Sequence, residues 1–210
     1  MNPIYLIPLF AVITALVVWR VRADAAPIAD ALSVMVRAEG WSELSQSSML
    51  GGTVRGKWKG RAASVEYGPP AKRGIPGPSS GGTVTAIVEA HGPRLILSLR
   101  GRGSSSVLTR PIVVAGPPIV DLPHLPIAQR VWVRCDEASF AERILRETNA
   151  IRLITLMLND GAEIIGDGKT VRIMRLLPRN LWRVMPAITE RARETCRAAT
   201  AVAAHYQPPR

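Results

Sequence analysis

The run Gly166-Asp167-Gly168-Lys169-Thr170 ends as a phosphate-cradling loop ends, with glycines beside a lysine and a hydroxyl residue. The full motif needs another glycine five residues before Gly168, where Glu163 stands, and it needs a strand leading into a helix. Here Ala162 to Ile165 and Thr170 to Leu176 alternate as two strands, so an Asp-Gly hairpin turn accounts for the glycines and nucleotide binding is not expected.

Other reactive residue types lack the spacing that chemistry requires. His91, His124 and His205 fall in a turn, a proline-rich loop and the tail, with no spacing that gathers metal ligands. The serines at 45, 47, 48 and 104–106 lie in no Gly-x-Ser-x-Gly elbow. Asp136 with Glu137, and Glu142 with Glu147, sit at a helix start and on a helix face, where helix electrostatics favours them. Cys135 and Cys196 are far apart in sequence and read as two reduced, semi-buried thiols. No catalytic, cofactor-binding or metal residue is assigned, and no cofactor is expected.

What the sequence does offer is positive charge beside indole rings. Lys57-Trp58-Lys59 and Trp182-Arg183 set an amphipathic ring among cations, which suits contact with an anionic partner. Arg100-Gly101-Arg102-Gly103 can approach phosphate with little hindrance, but it occurs once, and two phenylalanines and three tyrosines are few for base stacking, so nucleic acid is not the expected partner. Lys57, Trp58, Lys59, Arg100, Arg102, Trp182 and Arg183 are therefore the candidate docking residues.

The charge balance agrees. Lys and Arg number 27 against 16 Asp and Glu, and every acidic residue lies beyond Arg22, so the region after Arg22 attracts acidic lipid headgroups or an acidic protein face. Only four of the cations are lysines, a bias that fits a GC-rich bacterial genome.

The elements that must position these residues begin with an anchor. Pro3 to Trp19 carries no charge and as a helix would reach about 26 Å, just enough for a ~30 Å hydrocarbon core. Tyr5 and Trp19 fit the two interfaces, and Arg20 and Arg22 extend toward water beyond them. Ala23-Asp24-Ala25 resembles a signal cleavage site, but the start lacks basic residues and both arginines precede the cut, so residues 1–22 are expected to stay as a single transmembrane helix. Positive charge following the span places the C-terminal domain in the cytoplasm, the N-terminus outside, and the protein in the inner membrane.

Residues 23–40 read as a juxtamembrane helix or linker, with apolar Ile28, Leu32, Met35 and Val36 before Gly40. Residues 41–135 are β-rich. Thr53 to Trp58 and Ala62 to Tyr67 flank Lys59-Gly60-Arg61 as one hairpin, and Thr83 to Ala90 and Arg94 to Arg100 flank His91-Gly92-Pro93 as a second. Gly68 to Gly82 reads as a long loop, Arg110 to Ala115 and Arg130 to Cys135 as further strands, and Pro117 to Pro126 as their connection. Residues 136–204 hold a helix from Glu137 to Asn159 with a break near Asn149, a third hairpin around Gly166 to Lys169, and a final helix from Asn180; residues 205–210 form a polar tail. The expected class is α+β: an N-terminal transmembrane helix, then an extrinsic domain of antiparallel β-hairpins with C-terminal helices.

These features point to a non-enzymatic, membrane-anchored protein whose basic cytoplasmic domain docks onto other subunits of a bacterial membrane complex, such as a photosynthetic or respiratory assembly. The alternatives are a membrane-surface enzyme with a nonstandard site for lipid or envelope substrates, and a peripheral scaffold that binds lipid itself. A deep polar pocket with converging ionisable groups would mark the enzyme, and an exposed apolar patch ringed by arginines would mark docking.

Overall fold

The structure, a computed structural model, describes residues 11–19, 30, 33–34, 37–38, 41–43, 52–68, 82–99, 116–177 and 185–206. Its strands are β1 (Ser42–Glu43), β2 (Gly52–Trp58), β3 (Arg61–Gly68), β4 (Gly82–Glu89), β5 (Leu95–Leu99), β6 (Val131–Cys135), β7 (Glu163–Gly166) and β8 (Thr170–Leu177). They form one antiparallel sheet in the order β1-β2-β3-β4-β8-β7-β5-β6. A 3-10 turn (Pro126–Gln129) precedes β6, and three helices follow the first six strands: α1 (Ala138–Arg146), α2 (Thr148–Asn159) and α3 (Met185–Ala203). The fold is α+β, with an antiparallel sheet and helices toward the C-terminus.

Alternation sets the layers. Val84, Ala86 and Val88 of β4, and Val171, Ile173 and Leu177 of β8, are buried, while Thr83, Thr85 and Ile87 between them are only half-covered. The buried face receives Phe140, Ala141, Ile144 and Leu145 of α1 and Ala150, Ile154, Met157 and Leu158 of α2. From α3 come Ile188, Ala192, Cys196, Ala199 and Val202, spaced at three and four residues, and the small side chains among them let the helix lie close over β4 and β8. Among the described residues, all helices in contact with the sheet share this side, and no described helix packs on the other face.

A charged group enters the core at Arg175 of β8, 2% exposed. Its guanidinium binds Asp160 at the end of α2 and Glu194 of α3, the latter at 2.8 Å, and Arg191 reaches the same Asp160 at 3.4 Å. The network ties strand and both helices together at one point.

The first hairpin turns through Lys59 and Gly60, both at positive φ (51° and 82°), the two-residue geometry whose twist matches paired strands; Arg61 already belongs to β3. The third hairpin also forms, Gly166 opposite Val171. The second does not. β4 pairs with β8 along eight residues, and β5 pairs with β7 and β6, so the later hairpin inserts between the two strands expected to be partners. The link from β4 to β5 instead crosses the tip of that hairpin, where Ala90 N–H donates to the Lys169 carbonyl at 2.9 Å and Gly92 N–H to that of Gly168 at 3.1 Å.

The helical stretch expected from Glu137 to Asn159 with a break near Asn149 is two helices, parted at Glu147. Glu147 is extended (φ −74°, ψ 120°), and its carboxylate accepts from the amides of Asn149 and Ala150 to cap α2. Within the proline-rich connection, Ile119 pairs opposite Arg134 and lengthens the β6 edge.

The transmembrane helix expected over residues 1–22 is not supported: no helix among the described residues is long and apolar enough to cross a membrane. Residues 11–19 are helical and present exposed Val12, Ile13, Leu16, Val17 and Trp19. Tyr5, Arg20, Arg22, the loop residues 69–81, the strand expected at Arg110 to Ala115 and the start of the last helix lie outside the described residues.

Candidate functional site

Three strand segments share a pattern: Val54-Arg55-Gly56 in β2, Val133-Arg134-Cys135 in β6 and Val171-Arg172-Ile173 in β8. Each places one arginine between inward residues, so the two-residue period of a strand sends it to the face away from the helices. Register then aligns all three. Arg55 lies opposite Ser64, Ser64 opposite Ile87, Ile87 opposite Arg172, Arg172 opposite Ile165, Ile165 opposite Ile96, and Ile96 opposite Arg134. One row across the sheet thus carries an arginine on every third strand, about 14 Å apart at ~4.8 Å per strand, with Ile87 and Ile165 half-buried and Ile96 buried between them.

Apolar side chains extend the patch. Ile119 beyond Arg134 is 55% exposed, Trp132 opposite Ser98 is 42% exposed, and Leu176 toward the other end of β8 is 45% exposed. Glu66, Met174 and Glu163 fill the neighbouring row, so the surface is mixed in sign. The result is an apolar band crossed by guanidinium groups, the arrangement that suits a desolvated contact with carboxylates of a partner.

The residues singled out in the sequence distribute differently. Lys57 is exposed on the open face of β2, and Lys59 is exposed at the hairpin tip. Trp58 is corrected from a docking to a core residue: at 8% exposure it faces the helical side, its ring edge-on to Trp41 at 6.1 Å, while Trp41 itself lies over Gly56. Strand alternation decides this, because Trp58 shares the phase of buried Val54. Arg100, Arg102, Trp182 and Arg183 lie outside the described residues. Trp19 is exposed on residues 11–19.

The other chemistry candidates have local partners. At Gly166 to Thr170 a strand leads into a strand, and the Asp167 carboxylate accepts from the amides of Lys169 (2.9 Å) and Thr170 (2.7 Å) and the Thr170 hydroxyl (3.0 Å). Amides that a phosphate loop would offer its ligand are thus occupied by a side chain. Burial alone would raise the Asp167 pKa, but these donors, with Arg172 nearby, hold it below the ordinary carboxylate range. His124 meets Glu142 at 2.9 Å on the surface. Burial lowers the His205 pKa, with Arg143 adding to the effect and Glu147 opposing it. Both cysteines are buried and neither forms a disulfide, and burial pushes the Cys135 thiol up. Among the described residues, no three His, Cys, Asp or Glu side chains are grouped to hold a metal.

No protein-family model matches the chain. No curated protein matches it. A solved structure similar to it is the crystal structure of the mycobacterial trehalose monomycolate transport factor A, TtfA, which aligns with 90% of this chain and 97% of its own at 10% identity and a TM-score of 0.47.

Proposed function

We propose that this chain is a non-enzymatic docking subunit of a membrane-bound assembly, binding an acidic face of a protein partner through the open side of its sheet. The observation that carries the reading is the row of Arg55, Arg172 and Arg134 with isoleucines between them on a face no described helix covers. The apolar N-terminal segment, exposed at Val12, Ile13, Leu16 and Val17, holds the protein at the bilayer surface.

Photo-cross-linking in native membranes tests this. A photoreactive residue at Met174, on the open face, should form a protein adduct that disappears in Arg172→Glu and weakens as salt rises from ~0.1 to ~0.5 M. The same residue at Ala201, on the helical side, should not. Equal adducts from both positions, an adduct untouched by charge reversal, or adducts with lipid alone would overturn the proposal.

A further inference from the structure

On the helical side, away from the arginine row, a cleft of about 260 Å³ opens between the ends of β5 and β6, the 3-10 turn and α2. Its walls are largely aliphatic, with Leu99, Ile127, Val131, Ile151 and Leu158 among them. Among the described residues no aromatic ring lines it, so they offer no stacking platform to a base or another planar ring. Flexible alkyl groups match such walls.

Polarity is confined to a few groups. Thr155 and Asn159 stand one helical turn apart on α2, and the exposed Arg130 follows the 3-10 turn, its amide held by the Ile127 carbonyl at 2.9 Å. A cation on the border of an aliphatic cleft selects a ligand with a tail and a negative head. We propose that this cleft binds the chain of a single-tailed anionic amphiphile, with its carboxylate or phosphate on Arg130 and its tail against Ile151 and Leu158. A cavity of ~150 Å³ accommodates benzene, so this one takes about ten chain carbons.

The size limit gives the proposal a readable signature. Each further buried methylene strengthens binding about fourfold, and the gain stops when the cleft is full. Calorimetric titration of the full chain held in amphipol, with octanoate, decanoate, dodecanoate, decyl phosphate and decanol, should show affinity rising about fifteenfold from octanoate to decanoate and little beyond. Arg130→Gln should abolish the preference of both decyl anions over decanol while leaving decanol unchanged. Thr155→Trp should block the cleft and remove all binding, and Ile151→Phe, a smaller plug, serves the same purpose if the tryptophan variant does not fold. A decanoate with a terminal diazirine should label residues between Ile151 and Asn159. Affinity that climbs undiminished from decanoate to dodecanoate, indifference to Arg130 and to both plugs, or labelling confined to residues 1–22 would overturn the proposal. So would failure of any amphiphile to bind, which is the outcome if the chain's own residues fill the cleft. None of these results bears on the sheet face, so the two proposals fail separately.

Discussion

The phenol of Tyr206 stands where a side chain on Gly166 would begin. The same ring lies against Gly92 and meets Phe140 edge-on at 4.7 Å, so one aromatic residue just past α3 closes over two backbone positions that carry no Cβ. Gly166→Ala forces overpacking and should cost about 1–3 kcal/mol, lowering the melting midpoint by roughly 3–10 °C. The Tyr206 hydroxyl is buried without a partner among the described residues, and burial raises its pKa. Tyr206→Phe should therefore be neutral or stabilising by up to ~1 kcal/mol, and Gly166→Ala should do less harm in that background. Equal costs in both backgrounds would show that the contact is not what Gly166 serves.

Arg175 gives an asymmetric prediction. Asp160→Ala leaves a buried guanidinium short of one carboxylate and should destabilise by about 3–5 kcal/mol in urea unfolding. Arg175→Met removes the buried charge itself, and Asp160 and Glu194, each about 31% exposed, can turn to water and Arg191. That variant should lie within ~1 kcal/mol of the parent. The reverse order would mean that the ion network, not the packing, holds α3 to the sheet.

Acid should weaken the fold in two steps. The folded pKa of His205 is lowered, so the unfolded chain takes up the proton first, and stability begins to fall as pH drops below the ordinary histidine value of about 6.5. Asp136, lowered chiefly by its hydrogen bonds from Arg94, and Asp167 likewise have lowered folded values, so what they contribute is present above pH ~4 and lost as pH falls through them. Thermal melts from pH 8 to 2 should show both steps. His205→Gln should remove the upper one, and Asp167→Asn should soften the lower.

Trp58 and Lys57 are sequence neighbours on opposite faces. Trp58→Ala should cost about 3–5 kcal/mol through loss of core packing, measured by unfolding of the full chain. Lys57→Glu should leave stability within ~0.5 kcal/mol and weaken the salt-sensitive partner contact. A docking defect in Trp58→Ala at full stability would return the indole to the interface.

Local signals in the sequence foretold local structure. Lys59-Gly60 and Asp167-Gly168 each mark a turn whose two strands are adjacent in the chain, and both hairpins form as expected. His91-Gly92-Pro93 carries the same kind of signal, yet the strands around it are parted by β7 and β8, because pairing partners far along the chain compete with near ones and leave no local trace. The arginine row was hidden for the same reason: residues 55, 134 and 172 meet only through register. Each arginine stands between two inward-facing residues of its strand, as in Val133-Arg134-Cys135, but that local pattern does not reveal the common row. Trp58 was legible by the same alternation, as its phase with Val54 assigns it to the buried face.

The order of the strands also bears on how the chain reaches this state during synthesis. β4 and β5 are made well before the hairpin that bridges them, so Val84 must wait for Arg175 before its edge is paired. Two open sheet edges persist until then, and contacts so distant in sequence close slowly. A nascent chain of this protein is therefore most exposed to aggregation in the interval before residue 177, and a ribosome-bound chaperone or an early partner on the sheet would act in that window.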